Sequence, residues 1–202
     1  MAAKISGAAS ASRTNRYSFG RYACGAAALL AALAAWLTPL AIARADDASL
    51  EYKVKATYLY KFGAFVDWPS SAFGSPASPL TVCVAGKDPF GGILDKATEG
   101  QTVADRPVVV RRLDLVAHNS GCQILYIGAS DRQSVGQALD AVRGTGVLTV
   151  TDEESGDTAG IIHFVIQDNH VRFDIDDQAA AENGLTVSSK LLGLALSVRP
   201  RK

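Results

Sequence analysis

Two short stretches, 161–167 and 170–176, flank Asp168-Asn169, and no other feature of the chain constrains its fold so tightly. Asp and Asn tolerate positive φ, so a two-residue link between stretches rich in Val, Ile and Phe predicts a β-hairpin. Pairing outward from the turn sets Ile166 against Val171, Phe164 against Phe173 and Ile162 against Ile175. Each apolar residue then meets another on one face, and a slip of one residue would destroy the match. The opposite face sets His163 against Asp174 and Arg172 against Val165. An exposed ion pair is one reading of that face; the other makes His163, Arg172 and Asp174 a ligand-binding or pH-sensing group.

Upstream of the hairpin the pattern alternates. The spacing of Tyr52, Ala56, Leu59, Gly63 and Val66 predicts a helix over 51–67, stopped by Trp68-Pro69 because the residue before proline is pushed out of the helical region. Residues 80–85 read as a buried strand, and Asp88-Pro89 as the cap of a short helix ending near Ala97. Val103 and 108–113 suggest an extended segment that Pro107 confines to the sheet edge. A strand over 122–127, a helix over 131–143 and a strand over 147–151 follow. This order predicts parallel pairing through right-handed crossovers. After the hairpin, Asp176 or Asp177 caps a short helix ending at Gly184. Ser188 or Ser189 then caps a final helix, apolar nearly all round, carrying Leu191, Leu192, Leu194, Ala195 and Leu196. The expected architecture is a single α/β domain: a mixed, mostly parallel sheet flanked by helices, with a late antiparallel hairpin.

The first 45 residues read as an address. A basic stretch to Arg21 precedes an uncharged run over 23–42, and Ala43-Arg44-Ala45 offers the small-x-small pattern of a signal-peptidase site. Residues 1–45 are therefore expected to be a cleaved signal peptide and 46–202 the mature domain, placed in the periplasm. A retained membrane anchor is the rival reading, since twenty uncharged residues could span a bilayer. Formal charges over the whole chain are 20 basic and 20 acidic, yet every acid lies at or after Asp46 while five basic residues precede it. The mature part is thus acidic, which disfavours binding to nucleic acid, and it has no second apolar run that would insert into a membrane after cleavage.

Two cysteines remain beyond Asp46, Cys83 and Cys122. In an oxidising compartment an even pair is read first as a disulfide, with two buried free thiols as the alternative. The predicted first helix and its end carry Tyr52, Tyr58, Tyr60, Phe62, Phe65 and Trp68. One helix cannot turn them all toward one sheet, so some, with Tyr58, Tyr60 and Trp68 as candidates, are expected to meet another chain.

Catalytic patterns are missing. Gly86-Lys87-Asp88-Pro89-Phe90-Gly91-Gly92 lies where a phosphate loop would, but it matches neither nucleotide-binding spacing, and Asp88 would repel a phosphate. No nucleophile elbow occurs, and the three histidines show no metal-ligand spacing. No catalytic residue, cofactor or metal is expected.

Taken together, Glu51-Tyr52-x-Val54-Lys55-Ala56, Phe65-Val66-x-Trp68-Pro69, Cys83-Val84-x-Gly86-x-Asp88-Pro89-Phe90-Gly91, Arg106-Pro107 and Val110-Arg111-Arg112 resemble the YfiR/HmsC family. The likeness runs on through Cys122-Gln123-Ile124-Leu125-Tyr126-Ile127, Val147-Leu148-Thr149-Val150, Val171-x-Phe173-x-Ile175 and Gly184-Leu185-x-Val187-Ser188-Ser189-Lys190-Leu191-Leu192. The resemblance implies a periplasmic, non-enzymatic regulator that binds the periplasmic domain of an inner-membrane diguanylate cyclase and represses cyclic di-GMP synthesis and biofilm formation. It also implies a homodimer, and it matches Cys83 and Cys122 to the family's principal bridge. A second cysteine pair found in some relatives is absent here, and Gly160-Ile161-Ile162-His163 ends in His where the family typically has Asn. The alternative function is a periplasmic small-molecule-binding protein; a hydrolase ranks third.

Overall fold

Central strands whose residues are all apolar or small can be stable only if both faces of their sheet are covered. A computed structural model, which describes residues 39–156 and 158–202, meets that demand. Its eight-stranded sheet has the order β10-β8-β7-β6-β5-β2-β4-β3. The strands are β2 (Leu80–Ala85), β3 (Thr102–Val103), β4 (Arg106–Leu113), β5 (Ile124–Ile127), β6 (Leu148–Asp152), β7 (Ile162–Gln167), β8 (His170–Asp176) and β10 (Val198–Arg199). β4, β2, β5, β6 and β7 run parallel, and β7 and β8 form the antiparallel hairpin. A separate two-stranded ribbon joins β1 (Val66–Asp67) to β9 (Thr186–Val187). The unit that carries the sheet begins at Asp46.

Side-chain alternation splits the core in two. Val82, Val84, Ile124, Tyr126, Leu148, Val150, Ile162 and Phe164 belong to one face, which packs on Ala56, Leu59 and Phe62 from helix α1 (Pro39–Lys61) and the turn after it. Helices α2 (Gly92–Thr98), α4 (Asp177–Glu182) and α5 (Ser189–Leu192) add Leu94, Ala180 and Leu191 to that side. Cys83, Ala85, Leu125 and Ile127 belong to the other face, with Val135 and Ala138 from helix α3 (Val135–Ala141). Ser134 and Gln137 close a capping box on α3, Asp176 caps α4, and Ser188 caps α5.

The hairpin forms in the expected register, with Ile166 opposite Val171, Phe164 opposite Phe173, and Ile162 opposite Ile175. Asp168 and Asn169 have φ of 49° and 61°. A second two-residue turn of this kind, Ala104-Asp105 with φ of 48° and 62°, links β3 to β4. Because β3 is so short, β4 lies open at the sheet edge beyond Pro107, where the proline placed it.

Three expectations need correction. The first helix stops at Lys61 instead of Asp67: residues 62–65 form a tight turn, and Val66 and Asp67 extend to pair with Val187 and Thr186. The helix after Asp88 begins three residues late, at Gly92, because the Asp88 carboxylate accepts from Phe90 N–H and Gly91 N–H and so builds a turn first. The final helix is a single turn. After Gly193 the chain turns on, with Leu194 N–H and Ala195 N–H donating to the carbonyls of Leu191 and Leu192; Leu196 N–H then donates to the Phe173 carbonyl, and Val198-Arg199 becomes an edge strand beside β8. The unpaired edge of β8 offers backbone hydrogen bonds that a continued helix could not use.

Cys83 in β2 and Cys122 just ahead of β5 are joined by a disulfide, their Cα atoms 5.8 Å apart and 39 residues distant in sequence. Closing a loop of that length removes chain entropy from the unfolded state. The double variant Cys83→Ala/Cys122→Ala is expected to unfold with about 3–4 kcal/mol less free energy. Urea denaturation of both forms reads this as a lower midpoint, and an unmoved midpoint would contradict it.

Candidate functional site

The aromatic residues of α1 and the segment after it sort into three environments. Phe62 is wholly buried, its ring 5.7 Å from Phe164 and 5.2 Å from Phe173 between centroids. Tyr58 lies half-buried, parallel to Phe62 at 6.0 Å and edge-on to Phe173 at 5.9 Å. Tyr60 is a core residue: 7% of it is exposed and its hydroxyl donates to Gln101 Oε1 at 3.4 Å. The early end of α1 explains this, since the turn at 62–65 leaves the Tyr60 side of the helix facing α2 and β3. Trp68 is half-buried and meets Phe73 edge-on at 6.1 Å. Of the three candidate contact residues, only Tyr58 and Trp68 therefore keep part of their surface.

Trp68 and Phe73 wall a groove of about 580 Å³. Its lining includes Val66, Leu80 and Val103, all buried, together with Arg106 and Asp67.

The hairpin group is not assembled as a site. His163 and Asp174 are register partners, but the His163 ring Nδ1 lies 2.9 Å from Thr151 Oγ1. Asp174 instead accepts from Ser197 Oγ at 2.7 Å, and Arg172 is exposed. The edge strand β10, unforeseen in the sequence, supplies the competing partner.

One polar cluster was missed altogether. Lys55 is 3% exposed, and its Nζ lies 2.5 Å from Glu51 Oε1 and 3.1 Å from Asp152 Oδ2. Asp152, with no exposed surface, also accepts from Tyr126 Oη at 2.7 Å. The Tyr52 ring sits 5.0 Å from the ammonium. Burial first, and then the carboxylates of Glu154, Asp152 and Glu51, push the Tyr52 hydroxyl well above the usual phenol range; among the described residues the hydroxyl has no hydrogen-bond partner of good geometry. The Glu51/Lys55 spacing of one helical turn was the available signal; that Asp152 would meet it from 97 residues away was not visible.

This cluster lies at the carboxyl ends of β5 and β6, and the boundary between β2 and β5 is where the strand order reverses. Open α/β sheets bind ligands at such places. Here the crevice is shut. Lys87 N–H donates to the Ala129 carbonyl and Gly128 N–H to that of Ala85, both at 2.9 Å, and a Cβ at Gly86 would run into the Gly128 carbonyl. The remaining cavity, about 10 Å³, is no larger than a water molecule needs. Nearby, the turn at 86–92 spends its free N–H groups on Asp88, and Arg112 clamps both Asp88 and Asp95. The protein's own carboxylate stands where a phosphate would. Among the described residues no group of three or more His, Cys, Asp or Glu could hold a metal ion, and no helix is long and apolar enough to cross a membrane.

A family model described as YfiR/HmsC-like matches residues 52–196. The chain belongs to the YfiR/HmsC-like family. The match spans α1 from Tyr52 through the tail that precedes β10, so it takes in the aromatic helix, the disulfide and the hairpin together. No curated protein matches the chain. Membership places it among regulators of the cyclic di-GMP pathway, a periplasmic family whose members act on a signalling partner and are not known as enzymes.

Two measurements test this electrostatic picture. Asp152→Ala takes one of two carboxylates from the buried Lys55 and the acceptor from Tyr126 Oη and is expected to cost about 1–3 kcal/mol, whereas Lys55→Met with Asp152→Leu removes both buried charges and should recover most of that. Equal losses in the two variants would show that packing, not charge, dominates. For the clamp, Arg112 holds the Asp95 carboxyl below the usual carboxylate range, chiefly through its hydrogen bond. A depressed pKa in the folded state contributes stability above the ordinary carboxylate pKa, and the contribution is lost as pH falls through the folded value. Because Asp95 is half-exposed the contribution is small. An NMR titration should place the Asp95 midpoint below that of a model peptide, and Arg112→Gln should raise it.

Proposed function

We propose that residues 1–45 are removed on export and that the domain from Asp46 onward works in the periplasm, where it binds the periplasmic domain of an inner-membrane diguanylate cyclase and represses cyclic di-GMP synthesis. The family match over residues 52–196 carries this reading. Two features of the molecule support it. The strand-end crevice that a ligand-processing α/β protein would use is filled by backbone. In addition, Leu194, Leu196 and Val198 are respectively 59%, 41% and 38% exposed along the tail, more apolar surface than so short a segment needs for its own fold. Tyr58 and Trp68 add partly exposed aromatic surface. Such surfaces suit a protein partner or a second copy of the chain, and we take the functional unit to be a homodimer.

Deleting the gene should raise cellular cyclic di-GMP, and complementation should restore it. Leu196→Asp should fold, as judged by its thermal transition, yet fail to complement; Tyr60→Asp should fail by unfolding, because it buries an unpaired charge. Unchanged cyclic di-GMP in the deletion strain, with its membrane cyclases expressed, would reject the regulatory reading.

A further inference from the structure

The groove beside Trp68 contains a cation that is only half used. Arg106 opens β4 immediately after the Ala104-Asp105 turn, and its guanidinium lies over the Phe73 ring, 3.8 Å from the centroid. Nη1 donates to the carbonyls of Ser78 at 2.6 Å and Ser75 at 3.1 Å. Stacking and these two bonds fix the plane of the group. Its other edge, Nε with Nη2, has no acceptor among the described residues. That edge is the fork that takes a carboxylate through two parallel hydrogen bonds, and a fork already held in place loses little entropy when it does so.

What surrounds the fork limits what can reach it. Val66, Leu80 and Val103 make an apolar floor, Trp68 and Phe73 make aromatic walls, and the volume of about 580 Å³ falls within the range of small-molecule sites. Asp67, the other charged side chain of the lining, is exposed and would repel a second negative charge. A nucleotide or other polyanion is disfavoured on that ground. The geometry points to a binding site for a small monocarboxylate with a flat apolar body, its carboxylate on the Nε/Nη2 edge of Arg106 and its body against Trp68 and Phe73. This site lies apart from the hairpin group of His163, Arg172 and Asp174, and it does not depend on the regulatory reading.

The test uses the full chain with Trp36→Phe, which leaves Trp68 as the sole tryptophan. Titration with 3-phenylpropionate should change Trp68 fluorescence saturably, with a Kd below about 1 mM. The uncharged 3-phenylpropanamide should bind about tenfold or more weakly, because it cannot accept two charge-assisted bonds. Arg106→Gln should bring the acid down to the affinity of the amide while leaving the amide unchanged. Arg106 also ties the loop at Ser75 and Ser78, so circular dichroism first checks that this variant folds; if it does not, the acid-to-amide ratio on the unsubstituted site decides alone. Absence of saturable binding, equal affinity for acid and amide, or an undiminished preference for the acid in folded Arg106→Gln would each overturn the assignment. None of these readings involves a cyclase, so the site and the regulatory function stand or fall separately.

Discussion

The contact of Phe62 with Phe164 and Phe173 is the joint on which the rest of the domain depends. It brings the end of α1 onto the β7-β8 hairpin, so elements about a hundred residues apart share one set of rings. Tyr58 extends the cluster toward the surface and Lys55, 6.0 Å from the Phe164 ring, extends it toward the buried carboxylates. Aromatic pairs at these spacings favour particular edge and offset geometries, so they fix the angle of the helix on the sheet as well as its distance. With α1 fixed there, Leu59 and Ala56 cover the central strands and Tyr60 must face α2. The burial of Tyr60 is thus a consequence of where Phe62 sits.

The same helix brings a charge into the interior. Lys55 cannot be buried alone, and its neutralisation by Glu51 from one turn earlier and Asp152 from the end of β6 makes the helix register specific. A buried pair of this kind adds little net stability relative to apolar residues, but it penalises any register that separates its members. It also occupies the region where a parallel sheet would present a ligand site, and the Gly86 and Gly128 loops close over what is left. Among the described residues, partly open apolar surface lies along the tail and in the groove beside Trp68.

The legible part of this fold was local and periodic. The hairpin register followed from a two-residue turn and a match of apolar residues on a period of two. The buried strands announced themselves as short runs rich in Val, Ile and Leu, interrupted by small or aromatic residues such as Thr81, Cys83, Tyr126 and Thr149. Errors arose where a distant partner changed a local preference. The helical spacing through Val66 was real, but Val187 drew that residue into a ribbon; Asp174 lay opposite His163 as foreseen, but Ser197 took its carboxylate. In the tail the leucines at 191 and 192 favour helix locally, and nothing in their spacing shows that the turn at 193–196 leads into a strand at Val198-Arg199 beside β8. Arg106 shows the other limit, since its stacking on Phe73 joins the start of β4 to the segment after Trp68, an approach that no spacing in the sequence encodes.

Edge and groove differ in how they hold their neighbours, and that difference bears on function. The tail is fastened by a polar row: Ser197 to Asp174, Arg199 to Asp176, and Arg201 to Asp177 through two bonds. Of these carboxylates only Asp177 is well buried, so the exposed Arg199–Asp176 pair is weak and sensitive to salt, while the bidentate pair anchors the end. Such an arrangement keeps β10 in place as a cover for β8 yet leaves Leu194, Leu196 and Val198 facing outward. The groove, in contrast, is set in the hydrophobic core through Leu80 and Val103, and its one fixed cation belongs to β4, a strand of the central sheet. A ligand there would meet a surface that does not have to reorganise, while a protein partner at the tail would meet one that can shift by small amounts at little cost.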